Sequence, residues 1–265
     1  MQSDSNISLK IAVTVLEIVE NNIEQNYQTM LEYIDRANEE GVGLILFPEA
    51  ILTGIDISDD YQIDKEIAIT IDSDYINQVK VKAKECEIWV SFGFIEIDKG
   101  TIFDSAVLIN ANGEIALHHR RISKGWRHPD ANPLEYGCGD SFPTAMSPWG
   151  KIGFLICGDL FDVPELAIKE ELDVLLFPFA RCFTADIVSP QEEWDKVEWI
   201  EYSKQIKSIN AYTLMTNYIL KPDNSRYGNN YFGGGFITDR KGSILTNLPL
   251  NKEGLLIWDG KVMRK

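Results

Sequence analysis

Residues 151–159 read Lys-Ile-Gly-Phe-Leu-Ile-Cys-Gly-Asp, and this stretch decides how the chain folds. It is an apolar run about as long as a buried strand, and it delivers Cys157 to a glycine-marked turn beside the carboxylate of Asp159. The end of a strand in an open α/β sheet is where ligands meet such sheets. An isolated cysteine there is more often packing than chemistry, because free cysteine is among the most buried residue types. Its meaning depends on the rest of the chain.

Downstream, Glu171-Leu172-Asp173 leads into Val174-Leu175-Leu176-Phe177-Pro178, which echoes Leu44-Ile45-Leu46-Phe47 ending at Pro48-Glu49. Continuous apolar runs of this kind are expected of strands covered on both faces, and their recurrence suggests internal pseudo-symmetry. Upstream, Ser8 to Val15 alternates as a strand. Tyr27, Met30, Ile34 and Ala37 then recur at helical spacing until Gly41 supplies a C-cap. Asp72 or Ser73 is an N-cap candidate for a second helix with Ile76, Val79, Ala83 and Cys86 on its inner face. Antiparallel strands are predicted over 89–97 and 101–110 around Asp98-Lys99-Gly100, with a further turn at Asn112-Gly113. A long amphipathic helix between Glu192 and Asn210 precedes a strand over 211–217. A hairpin around Asp239-Arg240-Lys241-Gly242 and a strand over 255–258 close the series. Strands alternating with one-faced helices predict helix layers outside sheets, a layered α/β sandwich.

Composition narrows the function. With 265 residues, 45% of them hydrophobic, the chain can support one large core, and no linker or low-complexity tract divides it, so one domain over 1–265 is expected. The formal charge of −16, from 41 acidic and 25 basic residues, argues against nucleic acid and anionic membranes, which require a basic stripe. Met1 to Asn6 lacks a cationic leader, and no uncharged apolar stretch approaches the ~18 residues of a membrane helix, so a soluble, cytoplasmic protein is expected. Cys86, Cys138, Cys157 and Cys182 lack C-x-x-C spacing and read as reduced thiols. His118 and His119 would face opposite sides of a strand, and with His128 they have no partner at ligand spacing, so no metal is expected. Tyr231-Phe232-Gly233-Gly234-Gly235 enters a strand and lacks a following Lys-Ser or Lys-Thr, which argues against a phosphate loop. No cofactor is implied. Trp126, Trp149, Trp194 and Trp199 read as core or interface.

Three further segments stand beside Cys157: Phe47-Pro48-Glu49, His119-Arg120-Arg121-Ile122-Ser123-Lys124, and Leu134-Glu135-Tyr136 with Gly139-Asp140. A carboxylate placed just after a buried strand has its pKa raised, which suits Glu49 to take a proton from a thiol and return it. These segments closely resemble the nitrilase, or carbon–nitrogen hydrolase, superfamily, and the likeness runs nearly end to end. Lys10-Ile11-Ala12-Val13 is similar to its first strand, and Leu46-Phe47-Pro48-Glu49 with Leu52-Thr53-Gly54 to the segment carrying its base. Ile156-Cys157-Gly158-Asp159 with Pro164-Glu165 is similar to its nucleophile segment. Residues 173–178, Asn210 ahead of Asn217, and residues 231–239 follow in the family's order.

The resemblance implies a four-layer αββα sandwich of mixed sheets with helices outside. It implies Glu49 as base, Cys157 as nucleophile and Glu135 as a second glutamate that orients the cation and the substrate. At the cation the chain departs from the family pattern, whose lysine falls on Arg121 while a lysine stands three positions on, at Lys124. In a regular strand these two would face opposite sides about 10 Å apart. A turn over Ser123-Lys124-Gly125 could return Lys124 to the pocket, and its compact ammonium favours it for proton traffic, whereas Arg121 would hold an oxyanion with a flat fork. Tyr136, Phe142, Gly158 and Cys182 are candidates for substrate contact, Gly158 by widening a wall where the family often has an aromatic residue.

The activity implied is hydrolysis of a non-peptide C–N bond in a small amide or carbamoyl compound, through a cysteine thioester and without a cofactor. Cys157-Gly158-Asp159 is nearer the amidase pattern than the nitrile-cleaving one. The rivals are nitrile hydrolysis, acyl transfer to an amine, and a catalytically silent scaffold, the last motivated by Arg121. Association as a homodimer or a larger homo-oligomer is also implied.

Overall fold

The computed structural model describes residues 10–184, 187 and 189–264. Met1 to Asn6 and the first two residues of the expected strand at Ser8 lie outside this range. Two six-stranded sheets stack face to face. The first runs, edge to edge, Gly254–Trp258, Ile11–Val15, Leu44–Leu46, Trp89–Asp98, Thr101–Ile109, Ile115–Arg120. The second runs Ile244–Leu248, Gly235–Thr238, Tyr212–Thr216, Val174–Pro178, Gly150–Phe154, Thr144–Ser147. The echo seen between the runs at 44 and 174 is structural: each is an interior strand, parallel to both of its neighbours.

The period-2 alternation of strand side chains assigns the layers. Ile11, Val13, Leu44 and Leu46 point inward to meet Ile152, Phe154, Val174 and Leu176 of the other sheet. Ala12, Ile45 and Val90 point outward, against Met30 and Ile34 of the helix Ile23–Glu39 and Ile76 and Val79 of the helix Asp74–Glu85. On the far side, Leu155, Leu175 and Phe177 meet Tyr202 and Ile206 of the helix Trp199–Ile209. The architecture is the expected αββα sandwich. No helix among the described residues is long and apolar enough to cross a membrane.

Local chemistry sets the helix ends. The Asn22 side chain accepts from the Gln25 N–H, and Ser73 rather than Asp72 caps the second long helix by accepting from the Ile76 N–H. Cys86 is the C-cap residue of that helix and only half-buried, at the edge of the core rather than inside it. The helix expected over 192–210 is interrupted. An α-turn at Pro190–Glu193 passes into a wider π-turn at Trp194–Glu198 before Trp199–Ile209 resumes, and Asn210 ends it in the left-handed region at φ 58°. The i→i+5 geometry puts Trp194 and Trp199 on one face, where both rings stack on Phe236 at 5.2 and 5.5 Å.

Candidate active site

Three strand ends converge on one cavity of about 390 Å³, and Glu49, Arg121 and Cys157 line it together. Cys157 follows the strand Gly150–Phe154 and precedes a short helix, Asp159–Asp162. Its φ of 46° is left-handed, a conformation that costs a non-glycine residue about 1–3 kcal/mol and is kept only where the surroundings dictate it. The surroundings here are its N–H, which donates to Pro178 O at 3.1 Å, and the Leu160 N–H, which donates to Cys157 O at 3.2 Å. The thiol is half-buried, so a small molecule in the cavity can reach it.

Glu49 follows the strand Leu44–Leu46 and has no exposed surface. Its turn presses on the neighbouring strand at Gly93, where a Cβ would stand 2.5 Å from the Ala50 nitrogen, so only glycine fits. Burial, and next the charge of Cys157, push the Glu49 carboxyl up to about 8, while Arg121 pulls the other way. A carboxyl in that range is matched to thiols in general, which titrate near ~8.5, so a proton passes between the two types of group at little cost.

Arg121 is the buried cation of the cavity. Its Nη1 donates to Glu49 Oε1 at 2.8 Å and lies 3.4 Å from Asp104 Oδ2, and its Nε donates to Ser123 Oγ at 2.7 Å. Nη2 has no hydrogen-bond partner among the described residues, which leaves two N–H groups for a ligand. Burial opposes the guanidinium charge, but Cys157, Glu49 and Asp104 together outweigh it and the group stays protonated. Nη2 sits against the nucleophile turn: a Cβ on Gly158 would stand 2.7 Å from it.

Asp159 fastens that turn to the arginine segment. Its Oδ1 accepts from the N–H groups of Ile122 and Ser123 at 3.0 and 2.7 Å, and its Oδ2 from that of Ile156 at 3.2 Å. His119 Nε2 lies 3.2 Å from the same Oδ2. Burial pushes the Asp159 carboxyl up, but the hydrogen bond and charge of His119 and the Ser123 N–H outweigh it and hold it below the usual carboxylate range.

Several expected site residues stand elsewhere. Lys124 is exposed and does not line the cavity. Ser123 is held at its N–H by Asp159 and at its hydroxyl by Arg121, so the chain turns outward at the next residue. Glu135 lies in a turn away from the cavity, where its backbone carbonyl accepts from the Ile102 N–H at 2.7 Å. Tyr136 is buried behind Trp126, with its phenol donating to Asp64 Oδ2 at 2.7 Å. Phe142 packs edge-on against His119 at 5.8 Å. Gly158 does not line the cavity either, because the room it leaves is taken by the Arg121 guanidinium. Cys182 does line it, and burial raises its thiol pKa, which makes it a wall rather than a second nucleophile.

The rest of the cavity combines Ile55, Ile57, Trp126 and Ala180 with Asp56, Tyr231 and, toward solvent, Asp59, Arg127, His128 and Tyr227. Asp56 is buried and accepts from Tyr231 Oη at 2.9 Å, Ser225 Oγ at 2.5 Å and the Arg226 N–H at 3.0 Å. Sequence reasoning passed over Asp56 and Asp104, and it noted Asp159 only as a carboxylate beside the nucleophile turn. The available signal was a lone acid inside an otherwise apolar or uncharged run, as at Ile102-Phe103-Asp104-Ser105-Ala106. Among the described residues no group of His, Cys, Asp and Glu could hold a metal ion.

Comparison with known proteins bears on this geometry. A sequence profile of carbon-nitrogen hydrolases matches residues 10–261. A cyanide hydratase of Microdochium sorghi is 30% identical over 184 residues, covering 64% of this chain and 50% of that protein. The chain thus spans about half the length of that relative. A cyanide hydratase of Neurospora crassa is 29% identical, covering 90% of this chain and 75% of its own. Among solved structures, an amidase from Nesterenkonia sp. superposes with a TM-score of 0.74 at 16% identity, over 96% of this chain and 90% of that one.

Proposed function

The chain belongs to the carbon–nitrogen hydrolase family, and from that premise we propose that it hydrolyses a non-peptide C–N bond of a small amide through a thioester on Cys157. The observation that carries this reading is the meeting of Glu49, Arg121 and Cys157 in one cavity from three distant stretches of chain. Glu49 takes the Cys157 proton, and the sulfur attacks the amide carbon. The oxyanion that develops is met by the free Nη2 of Arg121, a donor of a kind whose removal costs about 3 kcal/mol of barrier stabilisation. As the tetrahedral adduct collapses, the C–N bond breaks and Glu49 returns its proton to the departing amine. Water then attacks the thioester with Glu49 again as base, releasing the acid and restoring the thiol.

Arginine suits this role because it stays charged and holds Glu49 and Ser123 with separate nitrogens while keeping a third for the substrate. Lys124, expected for proton traffic, has no part in the scheme, since Glu49 carries every proton. A second reading, hydration of a nitrile to its amide, is supported by the cyanide hydratases among the relatives. It uses the same attack and a thioimidate.

The test is turnover of a panel of small amides, carbamoyl compounds and nitriles by the parent chain, Cys157→Ala and Glu49→Gln, read as ammonia or amine released from the first two classes and as amide formed from the nitriles. Turnover of amides by the parent alone supports the reading. Turnover by Cys157→Ala, or turnover of nitriles only, rejects it.

A further inference from the structure

Asp104 is a fully buried carboxylate that the scheme above leaves unused. It lies in the strand Thr101–Ile109, with Oδ2 at 3.4 Å from the same Arg121 Nη1 that donates to Glu49 Oε1 at 2.8 Å. One guanidinium therefore serves two carboxylates, neither of which reaches water. The remaining oxygens, Asp104 Oδ1 and Glu49 Oε2, are sealed from solvent and have no partner as long as both groups are ionised.

Charge counting decides what fills that gap. With both carboxylates ionised, one buried anion would have no counter-charge, an arrangement that neutralises itself by taking up a proton. One proton between Oδ1 and Oε2 removes the excess charge and satisfies both oxygens at once. It belongs on Asp104, because Arg121 is nearer to Glu49 and favours the anion there.

We propose that Asp104 is a positioning residue that carries a proton at neutral pH and donates it to Glu49 Oε2, so that Glu49 and Cys157 share a single negative charge between them. This rests on the reading of Glu49 as the base. Glu49 is then held at Oε1 by Arg121 and at Oε2 by Asp104. Only the thiol proton moves: the Cys157 S–H bond breaks, a Glu49 O–H bond forms, and Asp104 keeps its own proton. Burial, then the charge of Glu49 and a hydrogen bond to it, hold the Asp104 carboxyl well above the usual range, in keeping with this arrangement. The titratable groups around the pair are Arg121, Cys157 and Asp159, with Tyr202, across the second sheet, and Tyr218 farther out.

The test uses no substrate, so it is independent of which amide, if any, is turned over. Infrared difference spectra of the parent and Asp104→Asn at neutral pH are expected to lose a protonated-carboxyl C=O band on substitution. Loss of a carboxylate band instead would overturn the proposal. The rate of Cys157 alkylation by iodoacetamide, mapped by peptide mass, supplies the pH profile. Asn keeps a donor to Glu49, so its acid limb is expected within about half a pH unit of the parent, whereas Asp104→Leu removes the donor and moves the limb up by about one unit. A downward shift of about one unit in Asp104→Asn would mean that the parent residue was ionised, and an unmoved limb in a folded Asp104→Leu would mean that it only fills space. Either result overturns the proposal. Failure of Glu49→Gln to abolish amide turnover, with these spectra as expected, would reject the functional reading alone.

Discussion

Gly158→Ala tests whether the nucleophile turn was cut to fit a guanidinium. At φ −59° and ψ −21° the backbone of residue 158 suits alanine, and on conformational entropy alone the change would stabilise the fold by about 0.4–1 kcal/mol. The contact decides otherwise. The new Cβ would lie 2.7 Å from both Arg121 Nη2 and Ser123 Oγ, where ordinary contact begins at 3.4 Å. Three hydrogen-bonding contacts, to Glu49, Asp104 and Ser123, hold the guanidinium, so moving it weakens at least one charged bond worth about 1.5–3 kcal/mol. A net loss of about 1–2 kcal/mol is expected, together with slower alkylation of Cys157. Lysine at 121 is thinner and has neither the Nη2 nor the Nε that holds the Ser123 hydroxyl, which is then free to rotate away, so in an Arg121→Lys background Gly158→Ala should cost nothing or revert to the entropic gain. Urea unfolding of the four proteins in this cycle should therefore give a coupling energy of about 2 kcal/mol. Additive costs, within ~0.5 kcal/mol, would refute the idea that the glycine and the arginine are fitted to each other.

Other substitutions follow from the same geometry. Glu49→Gln should lower kcat/KM by about 10²–10⁴ while the circular dichroism spectrum stays unchanged. Lys124→Ala should leave turnover within about twofold and stability within ~0.5 kcal/mol, because the residue is exposed and outside the cavity. Asp159→Asn should destabilise by about 2–4 kcal/mol in urea, since an amide cannot accept from three N–H groups and face His119 as the carboxylate does. The pH dependence has a definite sign. Free Glu49 would ionise near 4.5, whereas burial and Cys157 push it to about 8 in the fold, and Asp104 beside it is also held well above the usual carboxylate range, so the native state binds protons on this pair more tightly across that window. Stability should fall as pH rises from about 4.5 to about 8, and Glu49→Gln should reduce the slope measured by urea unfolding at several pH values, the remainder belonging to Asp104.

The layers, the elements around 44, 89, 101 and 174, and the approach of Glu49 to Cys157 were legible in the sequence because each rests on a local apolar period or a strand end. The cation was not. Whether Arg121 or Lys124 enters the cavity depends on Asp159, 36 positions from Ser123, which fixes the turn between them. Glu135 misled because it sits in a loop whose course is set by backbone pairing with Ile102 rather than by its own side chain. Gly158 read as a wider pocket because a missing side chain cannot announce which neighbour takes its space. The helix Tyr61–Ile67 is only seven residues long and mostly polar, with Asp64 its one buried residue, so no apolar stripe marks it. The π-turn at Trp194 arises from stacking on Phe236, a contact across 42 positions that no helical period encodes.

The central claim is that Cys157 becomes acylated by an amide with the help of Glu49 and Arg121. Rapid acid quench of the protein with a turned-over amide, followed by peptide mass mapping, addresses it most directly. An acyl mass on the peptide carrying Cys157, absent in Cys157→Ala and strongly reduced in Glu49→Gln, is the predicted result. Amide turnover with an unmodified Cys157, or an acyl mass only on Cys86, Cys138 or Cys182, would contradict the account.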